Sequence, residues 1–391
     1  MKTRVYLDNN STTRIDPRVK AAIEPYLTDI FGNPSNLHYF GRECAEGLAK
    51  AREQVAAFLN AKPEEIFFTS GGTEANNWAI KGVAVAQMLS KGRHIITSPI
   101  EHASVLGSVQ YLADTAWQVT YLPVDSYGLI DPADVKKALT SQTALVSVML
   151  ANNEIGTIEP VKEIANICHE QGVFCHTDAV SAAGKIKLDV KELGVDLLTI
   201  SGHKIHAPKG IGVLYIREGT PIDPLIHGGH HQKGLRAGTE NVIGIVGMGK
   251  ACELMKQEWQ EHTARILSLR NRFEQQVLKR IPDVRLNGHP EKRLPNTSHF
   301  GIAYVEGEAL LLNLDLEGIA VASGSACASG EPEPSPTVKA IGVPEIFRNS
   351  VVRFSLGEEN TEEEIDYTLN VLEQVVQRLR AISPLTKKGK S

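Results

Sequence analysis

Short apolar runs alternate with longer amphipathic stretches through the first half of the chain. Runs such as "EEIFFTS", "HIITSP", "TALVSVMLANN" and "VFCHTDA" predict strands. The stretch from Thr73 to Ser90 has apolar residues at helical spacing and predicts a helix after the first of these strands. Strands separated by helices are typical of a mainly parallel, doubly wound α/β sheet.

The pattern changes near Asn241, where one long helical run extends to Arg280. We expect this helix to bridge to a second domain, which contains "PNTSHFGIAYV", "IAVASGSAC", "VVRFSLG" and the terminal helix "TEEEIDYTLNVLEQVVQRLRAI". The sequence therefore predicts a large domain over residues 15–256. A smaller α+β domain is predicted from residues 1–14 together with residues 257–391.

The composition is that of an ordinary globular protein with no bias toward charged partners. The chain has 391 residues, 42% hydrophobic and 22% charged, which is enough for two domains with substantial cores. A net charge of −5 gives no electrostatic reason to expect nucleic acid or an anionic membrane surface. No stretch resembles a signal peptide or a membrane span. We expect no nucleic-acid partner and no membrane association.

Cysteine usage argues against a disulfide framework and against a zinc site. The five cysteines are odd in number, widely spread and without a C-x-x-C pair. They are Cys44, Cys168, Cys175, Cys252 and Cys327. This pattern predicts a cytoplasmic enzyme with reduced thiols and no metal.

Candidate chemistry is sought at the strand ends, because open α/β sheets bind ligands beyond the carboxyl ends of their strands. In "SGGTE", Gly72 and Thr73 open a helix, and free N–H groups at such a start attract phosphate. A simple turn with a helix cap explains this motif equally well. In "SGHKIHAPKG", Lys204 follows a strand directly, so shelter could lower its pKa and allow a Schiff base. Lys209 is its rival, and a surface lysine is the plain alternative.

Two further strand ends carry Asp178 in "HTDA" and His102 in "SPIEHAS". Asp178 could cap the following helix or bind a metal with His176, but nothing else completes a ligand set. A phosphate cradle, a sheltered lysine, a carboxylate and an imidazole together indicate pyridoxal 5′-phosphate. The lysine holds its aldehyde, the carboxylate keeps its ring nitrogen protonated, and the imidazole covers its ring.

The chain resembles cysteine desulfurases of the nitrogen-fixation and iron–sulfur-cluster type, within the class V aminotransferase group. The resemblance covers nearly the whole chain and includes "YLDNNSTTR", "FGNPSNLH", "TSGGTEANN", "IEHASV", "ANNEIGT", "HTDAV", "SGHKIHAPKG", "HGGHHQKGLRAGTEN", "SGSACAS" and "VVRFSLG". It implies the fold of fold-type I pyridoxal-phosphate enzymes, with a mainly parallel seven-stranded sheet in the large domain and a smaller α+β domain.

The resemblance also implies a role for each matching residue. Lys204 would carry the cofactor, Asp178 would pair with the ring nitrogen, and His102 would stack on the ring and move protons. The remaining cofactor contacts would be Gly72, Thr73, Ser201 and His203 at the phosphate, Asn153 and Ser181 near the ring hydroxyl, and Thr239 at the neighbouring subunit's phosphate. The last contact implies a homodimer. Asn33 and Arg353 would bind the substrate carboxylate, for which a planar guanidinium is suited.

Cys327 lies among small residues in "VASGSACASG". Its thiol is either a residue of a flexible turn with no role or a nucleophile kept free of bulky neighbours. The resemblance implies that it is the nucleophile. L-cysteine would become L-alanine while Cys327 takes the sulfur as a persulfide and passes it to an acceptor such as an iron–sulfur scaffold protein. The alternatives are a selenocysteine lyase or a cystine C–S lyase of the same fold, and an inactive assembly platform. A nicotinamide dehydrogenase is disfavoured because G-x-G-x-x-G is missing after the first strand.

Three departures from the family pattern bear on these expectations. Ser181 stands where the family usually has glutamine, and Thr337 stands where a histidine is usual. The longer tail of scaffold-binding members is not found after "AISPLTKKGKS". The identity of the sulfur acceptor is therefore open.

Overall fold

The computed structural model describes residues 3–323 and 334–384. Its strands, in chain order, are β1 Val5–Tyr6, β2 Ile66–Thr69, β3 His94–Thr97, β4 Gln118–Tyr121, β5 Thr143–Ser147, β6 Phe174–Asp178, β7 Leu197–Ser201, β8 Gly212–Ile216, β9 Val284–Asn287, β10 Thr297–Ile302, β11 Ile319–Ala320 and β12 Val351–Ser355.

The helices lie between these strands. They are α1 Pro17–Ile23, α2 Pro25–Thr28, α3 Tyr39–Leu59, α4 Gly72–Gln87, α5 Ala103–Asp114, α6 Pro132–Ala138, α7 Val161–Glu170, α8 Val190–Leu193, α9 Val242–Arg280, α10 Gly307–Leu316, α11 Pro336–Ala340, α12 Glu345–Arg348 and α13 Glu362–Ile382. None of the described helices is long and apolar enough to cross a membrane.

A seven-stranded sheet in the order β2-β8-β7-β6-β5-β3-β4 forms the centre of the fold. All neighbouring pairs are parallel except those made by β8, which runs antiparallel to both β2 and β7. Strands β5 and β7 are buried along their whole length, as expected for a sheet covered by helices on both faces. The predicted α/β class with a mainly parallel sheet is confirmed.

The register of β6 and β7 places two candidate residues at the same edge. Asp178 ends β6 and pairs with Thr199, and Ser201 ends β7 two residues later. A short 3₁₀ turn, Gly202–Lys204, follows at once. The carboxyl ends of these strands therefore deliver Asp178 and Lys204 to one side of the sheet.

The second half of the chain builds a separate apolar core. Strands β12-β10-β9 form an antiparallel sheet, and β1 pairs in parallel with β11. Helix α9 contributes to both cores, with Ile245 and Met255 in the large one and Phe273 and Val277 in the small one. The long helix predicted from Asn241 to Arg280 is present, with the Asn241 side chain accepting from the Gly244 N–H at its start. The predicted domain boundaries stay a prediction.

Candidate active site

A cavity of about 380 Å³ opens at the carboxyl ends of β6 and β7. It brings together ten of the residues singled out from the sequence. They are Gly72, Thr73, His102, Asn153, Asp178, Ser181, Ser201, His203, Lys204 and Arg353. The cavity also includes Asn10, Ser11, Asn76, Ser104, Met149 and Val180, to which the sequence analysis assigned no role.

Helix α4 begins at the wall of this cavity, directly after β2. Gly72 is its first residue, and a Cβ placed there would lie 3.0 Å from Val180 Cγ2, so the helix start packs closely against Val180. Glu74 in the same turn pairs with Arg236 at 2.8 Å. The first turn of α4 therefore presents backbone N–H groups to the cavity, an arrangement that suits an anion.

The Lys204 amine is enclosed by the N-terminal segment. Its Nζ donates to the Asn10 and Ser11 carbonyls, the latter at 2.9 Å, while the Thr13 N–H donates to the His203 carbonyl at 2.9 Å. Burial, followed by the positive charge of Arg353, lowers the pKa of Lys204 to about 8. Lys209, its rival, is exposed and lines a different cavity.

Asp178 is buried and held by two donors. Its Oδ2 accepts from Asn76 Nδ2 at 2.7 Å, and its Oδ1 accepts from the Val180 N–H at 2.9 Å. Asn76 also donates to Ser104 Oγ at 2.9 Å, and Ser104 Oγ shares a 2.7 Å hydrogen bond with His102 Nδ1. A continuous chain of hydrogen bonds thus links the Asp178 carboxylate to the His102 imidazole across the cavity.

His176 does not take part in this site. Its two ring nitrogens bond Ser147 Oγ and Thr199 Oγ1, and burial lowers its pKa to about 3. No group of three or more His, Cys, Asp or Glu side chains in the described ranges is arranged to hold a metal. Asp178 and His176 therefore share no hydrogen-bond partner, although they lie two residues apart in the chain.

Arg353 reaches the cavity from β12 and is held rigidly. Its Nη2 donates to Asp8 Oδ1 and Ser11 Oγ, each at 2.8 Å, and its Nη1 donates to the Asn153 carbonyl at 2.9 Å. The buried Nε has no hydrogen-bond partner in the described chain. The guanidinium is thus fixed at the cavity wall by groups from two distant segments.

Three of the predicted residues are not brought into the cavity by the described chain. Asn33 is exposed, and its Oδ1 accepts from the Ser35 N–H at 3.0 Å. Thr239 is exposed and absent from the lining. Cys327 lies outside the described residues. The departure at Thr337 lies away from the cavity, where the buried side chain accepts from Asn152 Nδ2 at 3.4 Å.

Comparisons with known proteins agree on one family. The model of the aminotransferase class-V family matches residues 5–368. Cysteine desulfurase IscS of Dictyoglomus turgidum is 52% identical over 390 residues, covering 100% of this chain and 99% of that protein. The chain belongs to the class-V aminotransferase family, among its cysteine desulfurases.

Solved structures of similar proteins have the same fold. A NifS-like protein superposes with a TM-score of 0.90 at 39% identity, covering 96% of this chain and 100% of that one. SspA in complex with cysteine superposes with a TM-score of 0.80 at 32% identity, covering 92% and 100%. The expected resemblance and the fold it implied are confirmed.

The cofactor of this class-V desulfurase is pyridoxal 5′-phosphate, and the cavity residues fit it. The cavity offers an amine of lowered pKa in Lys204, a buried carboxylate in Asp178 and the start of α4. The buried Asn76 Oδ1 has no hydrogen-bond partner in the described chain, so the polar wall is not satisfied by protein groups alone. Asn76 lies within the noted "TSGGTEANN" motif, but its contact with Asp178 joins two distant parts of the chain and is not encoded locally.

Proposed function

We propose that this class-V enzyme converts L-cysteine to L-alanine, with the sulfur leaving as a persulfide on Cys327. The observation that carries the proposal is the Lys204 amine, of pKa about 8, in one cavity with the buried Asp178 carboxylate and the Arg353 guanidinium. SspA, a structural neighbour at 32% identity, was solved with cysteine bound, which supports the choice of substrate.

Bound pyridoxal phosphate supplies an electron-accepting ring that stabilises negative charge on the substrate Cα. Asp178 would hold a proton on the ring nitrogen, a role favoured by the two donors that fix its carboxylate. His102 would cover the ring from the mouth of the cavity. Lys204 would accept the Cα proton at Nζ, because a pKa of about 8 leaves part of this amine neutral near neutral pH.

The phosphate would lie at the first turn of α4, near Gly72, Thr73, Ser201 and His203. Burial, with the positive charges of Lys204 and Lys209, lowers the pKa of His203 to about 4. A neutral imidazole can donate one hydrogen bond while the helix N–H groups supply the others. Asn153 and Ser181 would lie toward the ring hydroxyl.

The substrate carboxylate would be bound by Arg353, helped by Asn33. Within the described residues the buried Nε of Arg353 has no hydrogen-bond partner, and its Nη atoms are anchored by Asp8 and the Asn153 carbonyl. An anchored guanidinium loses little side-chain entropy when it binds a carboxylate. The Asp8 carboxylate already offsets part of the positive charge of Arg353. The fixed orientation of the guanidinium would therefore contribute more to binding the substrate carboxylate than its net charge.

A homodimer would supply the two contacts that one chain leaves out. Thr239 is exposed, and so is Asn33, which lies among exposed apolar residues. Leu27, Phe31 and Leu37 are 59%, 69% and 90% exposed. An apolar patch of this kind supports an interface with a second copy, in which Thr239 would reach the partner's cofactor phosphate.

The sulfur acceptor would be a protein such as an iron–sulfur scaffold, and the reaction would take place in the cytoplasm. The four described cysteines, Cys44, Cys168, Cys175 and Cys252, are buried and free, which supports a reducing compartment. Their burial also leaves Cys327 as the thiol proposed to carry sulfur.

The test is an assay of alanine and sulfide from L-cysteine under reducing conditions, with L-selenocysteine and L-cystine as competing substrates. Lys204→Ala should lower turnover by at least about 10²-fold, because a general base contributes that much or more. Lys209→Ala is the matched control and should keep wild-type turnover. Borohydride reduction followed by peptide mapping should place the cofactor adduct on Lys204.

Cys327→Ser separates sulfur transfer from cofactor chemistry. This variant should bind the cofactor and cysteine, shown by the visible absorption band, yet release almost no alanine. Wild-type turnover in Cys327→Ser, or an adduct on Lys209, would overturn the proposal. A preference for selenocysteine or cystine in kcat/KM would change the proposed substrate.

A further inference from the structure

The chain on the C-terminal side of Cys327 is attached to the wall of the main cavity. Ser335 follows Cys327 by eight residues, is buried, and donates from its Oγ to Glu154 Oε2 at 2.6 Å. Glu154 directly follows Asn153, which lines the cavity and whose carbonyl accepts from Arg353 Nη1 at 2.9 Å. One side-chain hydrogen bond therefore connects this part of the chain to the residues around the cavity.

The chain on the N-terminal side of Cys327 is attached close by. Ala322 and Arg353 form an antiparallel bridge, in which the Arg353 N–H donates to the Ala322 carbonyl at 2.7 Å and the Ala322 N–H donates to the Arg353 carbonyl at 3.2 Å. Cys327 follows Ala322 by five residues, which span at most about 18 Å when fully extended. The two attachments therefore limit how far Cys327 can lie from the cavity wall.

The turn that carries Glu154 is itself fixed. Asn152 is fully buried, and its Oδ1 accepts from the Glu154 N–H at 2.9 Å and from the Ile155 N–H at 3.0 Å. Burial raises the pKa of the Glu154 carboxyl group, and the Ser335 hydroxyl and the positive charge of Arg353 oppose this shift. Glu154 is thus a held acceptor beside the cavity, not a freely solvated surface group.

Helix α11, which starts after Ser335, is held by other contacts as well. Val338 and Ile341 are buried and pack with Ile155 in a small apolar core. Ser335 Oγ also accepts from the Val338 N–H at 3.2 Å and so caps the helix. We therefore expect α11 to remain in place without the Glu154 bond. What this bond fixes is the position of Ser335, where the chain from Cys327 enters the helix.

We infer that Glu154 is a positioning residue for Cys327: through Ser335 it holds the chain that follows the nucleophile against the cavity wall. This inference rests on the proposed role of Cys327 as the thiol that takes the substrate sulfur. An attached chain keeps a reacting group close to its target, and loss of the attachment lowers the fraction of time in which the two can react.

The inference predicts that only the sulfur-transfer step depends on Glu154. The earlier steps use the amine of Lys204, the carboxylate of Asp178 and the guanidinium of Arg353. The hydrogen bonds described for these three groups do not include Glu154. Binding of cysteine and removal of its Cα proton should therefore continue when the Glu154 bond is lost, while alanine forms more slowly.

The test measures both stages in a single turnover of the pyridoxal-phosphate holoenzyme. Glu154→Ala should slow alanine formation by roughly 2- to 10-fold, which is the worth of one hydrogen bond. The visible absorption change caused by L-cysteine should keep its wild-type rate and its dependence on cysteine concentration. Glu154→Gln keeps an oxygen that accepts from Ser335 and should recover most of the rate. Glu345→Ala, at an exposed position on α12, is the matched control and should behave as wild type.

Ser335 supplies the other half of the test. Ser335→Ala removes the donor and should also slow alanine formation, whereas Ser335→Thr keeps the hydroxyl and should retain the wild-type rate. Because both substitutions break the same bond, Ser335→Ala combined with Glu154→Ala should be no slower than the slower single variant.

Unchanged alanine formation in Glu154→Ala and Ser335→Ala would overturn the inference. Equal slowing of the absorption change and of alanine formation would overturn it as well, because a general structural role predicts that result. Circular dichroism and thermal midpoints establish which variants are folded, and the two Ser335 variants still decide if Glu154→Ala does not fold. Wild-type turnover in Cys327→Ser would instead contradict the proposed function.

Discussion

Ser11 connects the two cationic side chains of the cavity. Its carbonyl accepts from Lys204 Nζ at 2.9 Å, and its Oγ accepts from Arg353 Nη2 at 2.8 Å. Lys204 follows β7, whereas Arg353 lies on β12. One residue near the N-terminus therefore sets the relative position of the amine and the guanidinium.

A substitution at Ser181 would show how serine, in place of the glutamine expected from the family resemblance, affects the cofactor. It is buried and lines the cavity, but its side chain is shorter than the glutamine usual at this position. In Ser181→Gln, we expect an added donor near the ring oxygen to lower the pKa of the visible cofactor band. A net hydrogen bond of roughly 0.5–1.5 kcal/mol corresponds to about one pKa unit or less.

The measurement is a spectrophotometric pH titration of wild type, Ser181→Gln and Ser181→Ala. The alanine variant is the control and should titrate like wild type if serine makes no direct contact. A raised pKa in Ser181→Ala would mean that the serine hydroxyl already makes this contact. An unchanged pKa in Ser181→Gln would contradict the prediction.

At the scale of elements, α9 is the longest helix in the described chain, at 39 residues. Its N-terminal half packs closely on α3. A Cβ on Gly249 would lie 2.5 Å from Ala51 Cα, a distance that backbone atoms cannot relieve without moving the helices apart. Small residues at this crossing therefore set how α9 leaves the large core.

Gly249→Ala should destabilise the protein because its methyl group overpacks the α3–α9 contact. The expected loss is about 1–3 kcal/mol in the free energy of unfolding. Gly107→Ala is the matched control, because Gly107 lies in α5, is exposed and has open space around its Cβ position. It should be neutral or stabilising by up to about 1 kcal/mol. Thermal and urea unfolding of both variants check this, and equal stability would show that α9 can shift freely.

At the scale of the whole molecule, buried acids and buried imidazoles impose opposite pH dependences on stability. Burial raises the pKa of Glu101 and of Glu159 to about 8, and it lowers the pKa of His176 and of His299 to about 3. Between pH 4.5 and 8 the native state keeps protons on the two acids that the unfolded state releases. Stability from these acids therefore falls as pH rises. Between pH 6.5 and 3 the imidazoles remove stability as pH falls.

Glu101→Gln should isolate one of these contributions. Glu101 Oε1 accepts from Ser98 Oγ at 2.7 Å and from the Met149 N–H at 3.0 Å, and a glutamine oxygen can keep both bonds. The variant should gain stability over wild type with rising pH, by at most about 1.4 kcal/mol per pH unit between pH 5 and 8. Thermal midpoints across that range provide the measurement. The exposed Glu163→Gln is the control, and a pH-independent difference for Glu101→Gln would refute the assignment.

The sequence by itself determined the features that depend on neighbouring residues. These include the alternation of strands and helices, the long helix from Asn241 and the position of Asp178 and Lys204 at strand ends. The strand-end residues indicated pyridoxal 5′-phosphate. The family resemblance supported this cofactor, because the family's motifs occur in the same order along this chain. Hydrophobic period and turn chemistry act over a few residues, so a single sequence is enough to infer them.

Only the tertiary structure decided which distant groups meet. The antiparallel insertion of β8, the Asn76–Asp178 bond and the Ser11 contacts all join residues far apart in the chain or on different elements. Such contacts follow from how whole elements pack against one another, and no local pattern specifies them. Burial has the same origin, because the low pKa of Lys204 arises from the segments that enclose its amine.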